Sequence, residues 1–201
     1  VPDGALVLVR PGTYTGRVRL DAEFAGGITV RSETPYQARL RQSGEQVVTC
    51  YYGTNITLEG FDVAHAAGNT SALVVQVQDL LGAGPGIGPT GTDPVVKGIV
   101  LRNNIFHDST NNDIVKINNG CREVTVEGNM FYNQAGSDEH IDVNSVVDVI
   151  VQGNVFFNQI PGNLNDTSSF IVIKDSNQGS DDVIGSNRIT VRRNVFLNYE
   201  G

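Results

Sequence analysis

The chain has 201 residues, 39% hydrophobic and 18% charged, which suits one domain with a sizeable core. Its net charge of -8, with no cluster of Lys and Arg, argues against nucleic acid and anionic membrane surfaces as partners. No apolar run approaches the roughly 18 residues of a membrane span.

Composition points to strands and turns. There are 27 Val, 19 Asn and 23 Gly, against one Met and no Trp. Valine fits a pleated surface through its branched Cβ, and Asn and Gly accept the positive φ of tight turns. No window repeats apolar residues at helical spacing over three turns, so an all-β chain is expected.

In chain order, the first strand-like segments are 10–16 (RPGTYTG) and 28–35 (ITVRSETP). Residues 46–53 (QVVTCYYG) follow, and then 56–61 (ITLEGF). A clear repeat then begins. Residues 101–106 (LRNNIF), 126–131 (VEGNMF), 151–156 (VQGNVF) and 191–196 (VRRNVF) superpose without gaps, and 58–63 (LEGFDV) is a looser copy. A period in the twenties with loop-length insertions marks a stacked solenoid. Each coil carries a second strand: 46–53, 73–79, 113–120, 139–144 and 170–175. Alternation places Val48, Val75, Val115, Ile141 and Ile171 in one inward column. Cys50, Val77, Ile117, Val143 and Ile173 form the next. Asn104, Asn129, Asn154 and Asn194 fall in one turn column. Asn133, Asn158 and Asn198 fall in another, with Asp108 and His65 in the earlier coils. Asparagine ladders in the turns are expected, because stacked amides satisfy buried turn groups along the axis.

The long insertions are 79–96, a Gly/Pro loop, and the stretches 158–168 and 176–187. The loops after Asp79 and Asp175 leave the same strand column and are expected to overhang one edge of the helix. Cys50 and Cys121 are expected as two free thiols, about two rungs apart. The chain opens at Val1 and no capping helix is visible. The whole of 1–201 therefore reads as one β-helix domain, expected to be part of a longer solenoid. Its ends offer end-to-end self-association.

These segments together resemble the right-handed parallel β-helix proteins of the pectate-lyase-like superfamily, over nearly the whole chain. The resemblance implies a right-handed parallel β-helix and a secreted, extracellular or periplasmic protein that acts on or binds polysaccharide. A local match, 171–176 (IVIKDS), resembles the Lys-Ser segment of the alginate and chondroitin lyase family, whose base is that lysine. It implies Lys174 as base. The family's two glutamate ligands for Ca²⁺ before the lysine are Ser and Phe here, so its metal site does not carry over.

The outward positions of the second strand give the candidate site. One column reads Thr49, Gln76, Lys116, Asp142, Val172. Its neighbour reads Tyr51, Gln78, Asn118, Asn144, Lys174. A third, with Ile114, His140 and Phe170, is also expected to face outward. Lys116, His140, Asp142 and Lys174 are the catalytic candidates. Asn118, Asn144, Gln76 and Gln78 are the substrate-binding candidates. Such a set suits β-elimination or epimerisation of a uronate, which needs a base and a neutraliser for the substrate carboxylate. Ca²⁺ is one neutraliser, with Asp138, Glu139 and Asp175 as candidate ligands. The competing reading is a non-catalytic glycan-binding, adhesin or surface structural β-helix, in which Lys116 and Asp142 merely balance charge.

Overall fold

The structure, a computed structural model, describes residues 1–66, 72–79, 96–109, 112–134, 139–159, 169–175 and 185–199. It is a parallel β-solenoid. In chain order the strands are β1 (Leu6–Val9), β2 (Gly12–Thr15), β3 (Val18–Arg19), β4 (Glu23–Ser32), β5 (Ala38–Gln42), β6 (Val48–Cys50) and β7 (Thr54–Glu59). Next come β8 (Asp62–His65), β9 (Val75–Gln78), β10 (Val100–Arg102), β11 (Ile105–Ser109), β12 (Val115–Asn118) and β13 (Arg122–Glu127). The last are β14 (Met130–Gln134), β15 (Ile141–Asn144), β16 (Val147–Gln152), β17 (Val155–Gln159), β18 (Ile171–Lys174), β19 (Thr190–Arg192) and β20 (Val195–Tyr199). Successive strands enter three parallel sheets in rotation. Sheet A runs β1-β4-β7-β10-β13-β16-β19, sheet B runs β2-β5-β8-β11-β14-β17-β20, and sheet C runs β3-β6-β9-β12-β15-β18. No helix long and apolar enough to cross a membrane occurs among the described residues.

The register follows the sequence repeat. Phe106, Phe131, Phe156 and Phe196 pair in sequence across sheet B. The first three are fully buried; Phe106 lies tilted against Phe131 at 5.3 Å between centroids, and Phe131 stacks on Phe156 at 4.8 Å. Both inward valine/isoleucine columns of sheet C are paired as the alternation requires. One continuous apolar core therefore fills the bore, and burial of this kind is the main favourable term, at about 25 cal/mol per Å² of apolar surface. Cys50 and Cys121 are buried, free thiols, and burial pushes the Cys50 thiol up to about 12.

The repeat's asparagine does a definite job at the corner between sheets A and B. Asn104 N, Asn129 N and Asn154 N each donate to the side-chain oxygen of the next, Asn129, Asn154 and Asn194, at 2.8–2.9 Å. Phe61 N donates to Asn104 Oδ1 at 2.9 Å, so the file starts one coil earlier. Each Nδ2 in turn donates to a backbone carbonyl, of Leu58, Leu101, Val126 or Val151. The residue before each asparagine has positive φ, at Asn103, Gly128, Gly153 and Arg193. A Cβ on Gly128 would come within 2.5 Å of Asn103 Oδ1, so glycine there serves both conformation and space. Asp108, Asn133, Asn158 and Asn198 share φ of 52–56°, the left-handed region that Asn and Asp tolerate best.

The outer face of sheet A carries one charged column. Arg31, Glu59, Arg102, Glu127, Gln152 and Arg192 stand on consecutive rungs. Arg102 meets Glu59 at 3.0 Å, Gln152 donates to Glu127 at 2.8 Å, and Arg192 donates to Gln152 at 2.9 Å.

Asn129→Ala leaves the Asn104 amide and the Leu101 carbonyl without their buried side-chain partners. It is expected to cost about 2–4 kcal/mol, given roughly 1–3 kcal/mol per unsatisfied buried group. Asn133→Ala, half-buried at positive φ, is expected to cost about 1–2 kcal/mol. Urea unfolding of both variants checks the order.

Candidate functional site

Sheet C places the candidate residues. In β12 and β15 the apolar Val115, Ile117, Ile141 and Val143 fill the core, so the intervening Lys116, Asn118, Asp142 and Asn144 point away from it. Lys116 pairs directly with Asp142, Asn118 with Asn144, and Asn144 with Lys174. Gln76 pairs with Lys116, and Gln78 with Asn118.

The geometry centres on Asp142. Its carboxylate is fully buried, although it stands on the outer face. Lys116 Nζ lies 2.6 Å from Asp142 Oδ2, and Lys174 Nζ lies 3.0 Å from the same oxygen. Lys174 reaches it diagonally, from the next rung and two positions along, through its long stem. Lys116 Nζ also lies 3.5 Å from Asp113 Oδ2. The side chain of Lys116 is 16% exposed and that of Lys174 is 32%. Lys174 is thus the amine that solvent or a ligand reaches more readily. Two ammonium groups thus share one carboxylate oxygen.

Asp113, Glu139 and Asp142 form a buried acidic group, each offering an oxygen within 4.8 Å of the others. The Glu139 amide donates to Asp113 Oδ1 at 3.1 Å. Of the expected metal ligands, only Glu139 belongs to this group. Asp175 is exposed just after β18 and lies outside it, and Asp138 lies outside the described residues. Asp113 was not expected. It precedes its strand at the corner, where strand parity says nothing. Its signal was the alignment of 113–120 with 139–144, which sets Asp113 beside Glu139. The loops expected to overhang this face also lie outside the described residues.

The amide residues are already organised. Gln46 Nε2 and Tyr51 Oη both donate to Gln76 Oε1, at 2.9 and 3.0 Å, and Gln76 Nε2 donates to Gln78 Oε1 at 2.7 Å. Asn118 donates to Asn119 Oδ1 at 3.1 Å, and Ser145 Oγ donates to Asn144 Oδ1 at 3.0 Å. Asn119 and Ser145 have φ of 59° and 54°, so these bonds tie the face to the corner that follows it.

His140 is a correction. Its column with Ile114 and Phe170 faces the core and not solvent. Ile114 and His140 are fully buried. The imidazole lies among Phe131, Phe156 and Phe170, with centroids 6.4, 5.9 and 5.1 Å away. Neither ring nitrogen has a hydrogen-bond partner among the described residues. The chain bends from sheet B into sheet C at 139–140, so His140 and Ile141 both turn inward and alternation begins only afterwards. Burial holds the imidazole neutral, with its pKa lowered to about 3.

That burial gives a pH dependence. The unfolded chain takes up the proton below the ordinary imidazole value, while the folded chain resists it down to about 3. Stability from this group is therefore complete above about pH 6.5 and declines below it by about 1.4 kcal/mol per unit. His140→Phe, which extends the aromatic packing, is expected to remove this component. Comparing the pH slopes of urea unfolding between parent and variant checks it.

No family model and no curated protein sequence matches the chain. Among solved structures, an alginate lyase from Paenibacillus sp. FPU-7 is similar with a TM-score of 0.61 at 19% identity, covering 96% of this chain and 70% of its own. A Parabacteroides merdae protein provisionally named a glycosyl hydrolase has a TM-score of 0.55 at 11% identity, covering 96% of this chain and 80% of its own. At these identities the likeness is one of fold, and the fold this chain shares with both is the parallel β-solenoid described above.

Proposed function

We propose that the outer face of sheet C binds an anionic polysaccharide and abstracts the proton beside a uronate carboxylate, as a lyase or an epimerase. The observation that carries this is the pair of amines, Lys116 and Lys174, held on the one buried carboxylate of Asp142. An alginate lyase among the proteins of similar fold supports the same reading. Action on a polymer goes with a protein working outside the cytoplasm, extracellular or periplasmic, and that is the localisation this reading carries.

In this reading Lys174, the more exposed amine, is the base. It takes the proton from the carbon bearing the carboxylate. In elimination, the bond from the neighbouring carbon to the glycosidic oxygen breaks, a double bond forms between the two carbons, and the leaving oxygen takes up a proton. In epimerisation, a proton returns to the opposite face of the same carbon. Negative charge builds on the substrate carboxylate in either case, and a fixed cation nearby stabilises it. Gln76 and Gln78, half-buried, supply amides for sugar hydroxyls, whereas Asn118 and Asn144 are buried and brace the face from below.

A second reading has its own observation. Asp142 engages both amines as ion pairs, so neither is free as a base before substrate arrives. A non-catalytic glycan-binding face would look the same.

The experiment is a panel of polygalacturonate, alginate and chondroitin, with and without Ca²⁺. Absorbance of unsaturated uronate reports elimination, and uptake of deuterium from D₂O reports epimerisation. Turnover on one polymer is expected, and Lys174→Ala is expected to lose about 10²- to 10⁴-fold in rate, the usual share of a general base. Binding without either signal on every polymer makes the face a glycan-binding one.

A further inference from the structure

At the outer face of sheet C lies a buried cluster of acidic and basic side chains, called the pocket below. Asp113, Glu139 and Asp142 are all buried, and their nearest oxygens lie within 4.8 Å of one another. Three oxygens so grouped form a candidate metal-holding set, which would draw in slightly to reach calcium–oxygen bonds of roughly 2.4 Å. A cation is already lodged there. Lys116 Nζ sits 2.6 Å from Asp142 Oδ2 and 3.5 Å from Asp113 Oδ2. Lys174 adds a second ammonium on Asp142 from the more open side. Among the described residues, three carboxylates thus meet two amines. Asp142 Oδ1, in a fully buried side chain, has no hydrogen-bond partner among the described residues.

We propose that Lys116 is a tethered counter-cation. Its ammonium stands where a divalent ion would otherwise bind, and the pocket becomes a divalent-cation site once that charge is removed. Carboxylates gathered this closely repel one another, and a cation among them offsets that repulsion. The chain supplies that cation covalently, so the pocket needs no metal from solution. An ammonium offers short charge-assisted contacts of about 2.7–2.9 Å and cannot leave the site by diffusion. Lys116 is thereby a positioning residue that fixes Asp142, while Lys174 remains the reachable amine. The inference concerns the pocket and stands independently of the polysaccharide reading.

The test uses calcium as the probe on the full chain. Calcium binding is followed by calorimetry and by thermal unfolding, in the parent, in Lys116→Ala and in Lys116→Gln. The glutamine variant removes the charge but keeps a polar donor on a side chain one bond shorter, so it provides a folded sample if the alanine variant does not fold. The parent is expected to show no calcium response. The charge-removed variants are expected to bind calcium at least tenfold more tightly than the parent and to regain thermal stability with it. Adding Asp142→Asn to Lys116→Gln is expected to abolish that response. Equal calcium affinity in parent and variant, no binding by a folded Lys116 variant, or a response that survives Asp142→Asn would each overturn the proposal.

Discussion

Every coil lies on the one before it in parallel register, and the remaining structure depends on that constraint. A residue's nearest neighbours are its equivalents one rung away, about 4.8 Å above and below. A column of equivalents must therefore be compatible with itself. The phenylalanines meet this by stacking, with centroid spacings near the rung spacing. The asparagines at 104, 129, 154 and 194 meet it because an amide both donates and accepts, so each can serve its neighbour and a backbone carbonyl together.

The outer face of sheet C departs from self-similarity. Thr49, Gln76, Lys116, Asp142 and Val172 share one column and have nothing in common chemically. A column that stabilises only by repetition would not look like this. Its charges are buried, and burying charges costs several kcal/mol per ion unless close partners offset it. The offset here comes from contacts between unlike residues on adjacent rungs. The rigid inward columns beneath fix where those residues stand, and the scaffold thus sets the distances of the polar face.

Much of this was legible in the sequence because a repeat supplies its own alignment. The four x-Asn-x-Phe segments fixed the rungs of sheet B. Aligning 113–120 with 139–144 then sets Lys116 beside Asp142, as the pairing shows. What failed did so at the corners. Counting back in twos from Asp142 puts His140 outward, but at the bend before β15 the successive side chains of His140 and Ile141 both point inward. Asp113 was overlooked for the same reason, since it stands ahead of the first paired residue of its strand. The approach of Lys174 to Asp142 was also invisible to pairing, which sets it against Asn144. Only the length and path of its stem bring the ammonium across.

The charged column on sheet A bears on how such a chain can grow or shrink. Most columns here are blind to the number of coils. Losing one coil would still set Phe on Phe and Asn on Asn. Arg31, Glu59, Arg102 and Glu127 are different, because their signs alternate from rung to rung. Removing the coil that carries Arg102 would bring Glu59 against Glu127, and like charges directly opposite across strands are destabilising. In this part of the molecule, duplication or loss of a single coil breaks the alternation, whereas gain or loss of an adjacent pair preserves it. The column gives the repeat a parity that neither its apolar nor its amide residues possess.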